Sequence, residues 1–137
     1  MRRIARTALA LAFALLLGAC AAARPDRCPA GADPVVSESL YFGTATPDGV
    51  VSDEKWAAFL RDDVTPRFPD GLTTWTASGQ WRGKDGIIVR EKSHVLQLLH
   101  DVDEPVDADI SAIITAYKLR FRQESVLRVT APACTSS

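Results

Sequence analysis

The chain has little of what chemistry-bearing motifs need: three cysteines, two histidines and one methionine in 137 residues. No C-x-x-C or H-E-x-x-H occurs, so no protein-held metal of the usual ligand spacing is expected. No glycine-rich phosphate loop occurs either, and no cofactor is expected. A formal net charge of -1 gives no basic footprint for nucleic acid. The longest apolar run, Ala8 to Leu17, is too short to span a bilayer.

That run is nevertheless informative, because Arg2, Arg3 and Arg6 precede it and Leu17-Gly18-Ala19-Cys20 closes it. A basic start, a short apolar stretch and small residues are the order of an export signal. The small residues before a cysteine resemble the bacterial lipobox, in which that cysteine is acylated. The reading is a signal peptide over 1–19, lipidation at Cys20, a tether over 20–37 and one folded domain over 38–134. The leader holds three Arg and no acid, so its removal leaves a formal charge of -4. Attraction to anionic headgroups is then not the anchor; acyl chains supply it, at about 0.8 kcal/mol per buried methylene. Ala21, rather than Asp, follows the cysteine, which resembles lipoproteins sent to an outer membrane. The expected place is the bacterial cell envelope, lipid-anchored at the outer membrane and facing the periplasm. That compartment permits disulfides, and Cys28 and Cys134 are expected to form one.

The mature chain then alternates short strands and helices. Residues 38–45 predict a strand with Leu40 and Phe42 on one face, and Thr46 to Gly49 a turn. Ser52 caps a helix that has Asp53 and Glu54 in its first turn, with Val51 and Trp56 as a hydrophobic staple. Its stripe is Trp56, Phe59, Leu60 and Val64, and Pro66 is expected to end it by biasing Thr65 out of helical geometry. Strands follow over 72–81 and 87–98, joined by a glycine-containing hairpin at 82–86. A second helix is expected over 107–122 with Ile110, Ile113, Ile114, Tyr117 and Phe121 inward, and a last strand over 125–130. The order is βαββαβ, an α+β ferredoxin-like split sandwich with a four-stranded antiparallel sheet. In that arrangement the first and last strands are neighbours, which brings Cys28 and Cys134 to one end of the sheet, together with the corner at 65–71.

Thr65, Pro66, Arg67, Phe68, Pro69, Asp70 and Gly71 form a dense corner motif. With Leu72 and Thr73, Gly79-Gln80-Trp81, the spaced pair Glu91 and Ser93, and Ser125 to Arg128, it resembles the bacterial lipoprotein family known as domain of unknown function 3574. The resemblance runs from about Leu40 to Arg128 and implies no activity or catalytic residue. Phe68-Pro69-Asp70-Gly71 fits a type I turn, and replacing Pro66, Pro69 or Gly71 is expected to cost on the order of 1 kcal/mol. Arg67 is expected to pair with Asp70, Glu91 or another carboxylate.

Three function classes stay open. The leading one is a lipid-anchored module that binds an envelope protein or a small ligand. The second is a cofactor-independent enzyme with Glu91 as general base and Arg128 or Arg67 stabilising an anion in a cleft between sheet and helices; it expects Glu91, Ser93 and Val95 to face the helices, with Arg90, Lys92 and His94 on a solvated face. Gln80, Tyr117 and Gln123 are further candidate pocket residues. The third is a homodimer built through a sheet face, with Tyr41, Trp75 and Trp81 as its buried aromatic area.

Overall fold

The computed structural model describes residues 28–83 and 85–137. The expected leader and the lipidation site at Cys20 lie outside the described residues.

Ser52 has extended backbone, and its hydroxyl accepts the Lys55 N–H at 3.3 Å, which starts helix α1, Asp53–Phe59. The helix continues without a break into a π-helical turn, Leu60–Val64. Thr65 keeps helical dihedrals, φ -55° and ψ -38°, contrary to the expectation that Pro66 would exclude them. The element ends because Pro66 has no N–H to extend the ladder. The Arg67 and Phe68 N–H groups both turn back to the Val64 carbonyl, each at 3.0 Å. Helix α2, Asp107–Phe121, closes at Arg122, which takes φ 53° and ψ 44° in the left-handed region that usually selects glycine.

The strands are β1, Asp33–Gly43; the two-residue strands β2, Ala45–Thr46, and β3, Gly49–Val50, which pair as a small hairpin; β4, Thr73–Arg82; β5, Ile88–Asp101; and β6, Leu127–Thr135. The main sheet has the order β4-β5-β1-β6 with antiparallel neighbours. With the hairpin set aside this is the ferredoxin-like α+β fold.

Strands β1, β5 and β6 each run longer than expected. Strand β1 starts at Asp33, inside the stretch read as a tether, and β6 runs past Pro132. Pro132 is tolerated because β6 is an edge strand, and Pro34 because β5 ends opposite Val35, leaving one side of β1 unpaired there.

Register fixes the two faces. Leu40 pairs with Leu96 and Phe42 with His94, and these even-numbered positions carry the core under the helices. Phe42 sits at its centre, with ring centroids 4.6 Å from Tyr117, 5.2 Å from Trp56 and 5.9 Å from Phe59. Such aromatic contacts add roughly 0.5–1.5 kcal/mol each beyond area burial. Odd-numbered positions of all four strands form the other face, which no helix of the described residues covers.

Cys28 and Cys134 are bonded, with Sγ atoms 2.07 Å apart, as the neighbouring placement of β1 and β6 requires. The corner at 65–71 lies at the same end, since Thr73 opens β4 opposite Gln97 of β5. Its Phe68 is buried in the core, so the motif shapes the chain around an anchored aromatic. Gly71 does not need to be glycine: its φ is not in the left-handed region, and an added Cβ would meet no atom within 4 Å. Gly71→Ala is therefore expected to leave stability unchanged or raise it by up to about 1 kcal/mol, the reverse of the sequence expectation. Denaturant unfolding decides between the two.

Candidate functional site

The residues read as an enzyme centre do not meet. Arg128 lies on the helix face, where its Nε donates to Glu38 Oε2 at 2.8 Å and its Nη2 to Glu38 Oε1 at 2.6 Å and Asp107 Oδ1 at 2.7 Å. Thr130 Oγ1 donates to Glu38 Oε2 at 2.8 Å, and His100 Nε2 stands 3.9 Å from Oε1. The Arg128 guanidinium holds the Glu38 carboxyl below the usual carboxylate range. Arg67 is at the disulfide end of the sheet, where Nη1 donates to the Asp63 carbonyl at 2.5 Å and Nε lies 3.7 Å from Asp109 Oδ1. It ties the corner to the first turn of α2, and its carboxylate partner is neither Asp70 nor Glu91.

Glu91 itself is on the face away from the helices, the opposite of its expected placement. Of the row read as solvated, which lies on the helix side of the sheet, Arg90 and Lys92 are exposed and His94 alone turns inward. His94 is buried and stacks on Trp56, with centroids 4.5 Å apart and planes within 4°; burial keeps its pKa below the ordinary histidine value, so the ring is neutral near pH 7. Lys92 reaches Asp53 of α1 at 3.7 Å.

Around Glu91 the open face dips into a cleft of about 620 Å³. Two glycines set its floor. An added Cβ at Gly43 would lie 3.0 Å from Glu91 Oε1, and one at Gly79 2.7 Å from Ser93 Oγ, so these side chains lie flat only because their neighbours have none. The walls include Tyr41, Trp81, Gln80, Leu127 and the segment Arg122 to Ser125 that follows α2. Glu91 Oε1 accepts the Trp81 indole N–H at 3.0 Å, and Oε2 accepts the Ala45 N–H at 2.8 Å. Gln123 Nε2 donates to the Ala45 carbonyl at 2.5 Å. The backbone of one hairpin residue, Ala45, is thus held by side chains at both its N–H and its carbonyl, and both Glu91 oxygens already carry donors. At the rim, Arg122 pairs with Asp48 of the hairpin turn. A smaller cleft of about 420 Å³ lies on the other side of the hairpin and shares Ala45 and Glu91 with the first.

Of the other pocket candidates, Gln80 accepts from Arg90 Nε at 3.1 Å and lines the larger cleft with Gln123. Tyr117 does not line it: the ring is in the core, its hydroxyl donates to the Gly43 carbonyl at 2.8 Å, and burial pushes its pKa up. Glu38 went unnoticed in the sequence although its parity with Leu40 and Phe42 places it inward. Among the described residues, no group of three His, Cys, Asp or Glu side chains is placed to hold a metal.

The family model described as protein of unknown function (DUF3574) matches residues 37–136, and the chain belongs to that family. No curated protein matches the sequence. Among solved structures, a phage SAM lyase in complex with S-methyl-5'-thioadenosine is similar at 15% identity and TM-score 0.50, covering 84% of this chain and 97% of its own. CutA from Synechococcus elongatus is similar at 9% identity and TM-score 0.50, covering 75% and 80%. At these identities the likeness is one of fold.

Proposed function

We propose that the protein is a lipid-anchored module of a bacterial envelope, held at the outer membrane through Cys20, that binds a small ligand in the Glu91 cleft. The observation that carries the binding reading is the cleft: an open depression of about 620 Å³, walled by aromatic and amide side chains and kept open by Gly43 and Gly79, has the size and mixed lining of a ligand site. Catalysis by Glu91 with an arginine is not what this geometry favours, because Arg128 is consumed by Glu38 under the helices. The anchor reading rests on the order of residues 2 to 20. The disulfide and the cleft lie at opposite ends of β1, which begins at Asp33 and ends at Gly43. A tether leaving Cys28 toward a membrane would therefore present the cleft away from the lipid.

Two measurements test the two halves separately. Alkyne fatty-acid labelling of cells should mark the wild type and leave Cys20→Ala unmarked; equal labelling ends the anchor reading. Native mass spectrometry of the protein purified from its own envelope should show a small-molecule adduct that Trp81→Ala loses at unchanged melting temperature. A wild type without an adduct, or an adduct kept by Trp81→Ala, counts against the cleft.

A further inference from the structure

Among the described residues, no helix packs on the face of the sheet opposite α1 and α2, and that face is largely apolar. Its large hydrophobic residues are not scattered: Tyr41, Trp75, Trp81, Leu99, Leu127 and Val129 are all at odd-numbered positions on this one face, and each is between 38% and 61% exposed. Single exposed hydrophobics need no explanation, but six on one face mark an interaction surface.

Charge is absent from the middle of this face. The ionisable acids on this face are Asp33 and Asp101 at the disulfide end and Glu91 at the cleft end, as the register places them. Between them the odd positions are serine, threonine, glutamine, alanine, glycine and hydrophobic residues. A centre depleted of charge and rich in aromatics, with charge confined to the rim, is the composition of the core of a protein interface.

We infer that the cover of this face is a second copy of the chain, packed sheet to sheet. A partner chosen for charge finds nothing to read at the centre, whereas a second copy meets an uncharged surface without like-charge repulsion. Size agrees. Four strands about 4.8 Å apart and about nine residues long at 3.3 Å each cover on the order of 600 Å² in projection. The accessible area of a corrugated surface exceeds its projection, which brings the face toward the roughly 800 Å² per partner of a standard interface. Relief agrees too. Large Trp75 and Tyr41 flank Val95 in register, while small Ser39 and Ala131 lie nearby as sockets, so that two copies related by a two-fold axis can interdigitate at the usual sheet spacing of about 10 Å. Tyr41, Trp81 and Leu127 also wall the cleft, so the second copy would form part of its outer boundary.

Sedimentation equilibrium of the full protein in detergent tests this directly. The wild type should show roughly double the protein mass of one chain at micromolar concentration. Trp75→Lys and Val129→Lys, with far-ultraviolet dichroism and the disulfide retained, should each return it to one. A wild type that remains a single copy overturns the inference without any variant, and so does a dimer that both substitutions leave intact. Because the readout is mass, the result is independent of whether any ligand occupies the cleft.

Discussion

Arg128→Ala should lower stability by about 3–5 kcal/mol, the cost of removing one partner of a buried ion pair, and the melting temperature by on the order of 15 °C. The size follows from Glu38, whose side chain is 2% exposed and whose two oxygens both receive the guanidinium. Truncation leaves that carboxylate buried with Thr130 as its remaining hydrogen-bond donor, and an uncompensated buried charge is what makes such losses large. The pH dependence separates this cause from lost packing. In the wild type the Glu38 carboxyl is held below its ordinary value by Arg128. Its contribution to stability is therefore present above the unfolded value of about 4.3 and is lost as pH falls through the lower folded value. In the variant the buried carboxyl has lost its cation and favours the protonated form, so acidification should relieve the variant while it harms the wild type. The stability gap should narrow toward pH 4. A gap that is small at pH 7, or constant with pH, would show that the pair does not carry the load assigned to it.

Cys134→Ser should be the second large loss. The bond closes a loop of 106 residues in sequence separation, and loop-closure entropy of that length corresponds to about 4–5 kcal/mol, with native disulfides costing about 2–5 kcal/mol on removal. The expected result is a fall in denaturant midpoint for Cys134→Ser, matched by the reduced wild type and not worsened in the double variant Cys28→Ser, Cys134→Ser. Non-reducing peptide mapping of the protein purified without reductant should recover the linked pair. Free thiols in that protein, or a midpoint insensitive to reduction, would refute the staple.

The fold was legible because its signals are local and mutually consistent. Ser52 with Asp53 and Glu54 marks one helix start, the helical spacing of Ile110, Ile113, Tyr117 and Phe121 marks the other stripe, and strand order then places the two cysteines together. The face assignment of β5 failed for a physical reason. Residues 95–99, Val-Leu-Gln-Leu-Leu, are apolar at both parities, because the sheet buries Leu96 and Leu98 under the helices while Val95 is buried on the other side. Alternation carries no information in such a run. Parity had to be taken from β1, where Leu40 and Phe42 are unambiguous, and carried across the register. The same transfer would have placed Glu38 inward and paired Arg128 with it. The π-helical turn at Leu60–Val64 and the left-handed Arg122 had no sequence signal that separates them from ordinary helix.

The hold on Ala45 makes the β2–β3 hairpin kinetically separable from the sheet beside it. Its amide hydrogen is shielded by a carboxylate from β5 and its carbonyl by an amide that follows α2, while only two residue pairs join the hairpin's own strands. Exchange of that hydrogen with solvent deuterium therefore requires one side chain, Glu91, to let go, not the unzipping of a ladder, and such openings belong to the low-energy end of a protein's native fluctuations. The slow-exchanging amides of β1 and β5 report the whole fold; the Ala45 amide is a clock for the hairpin alone.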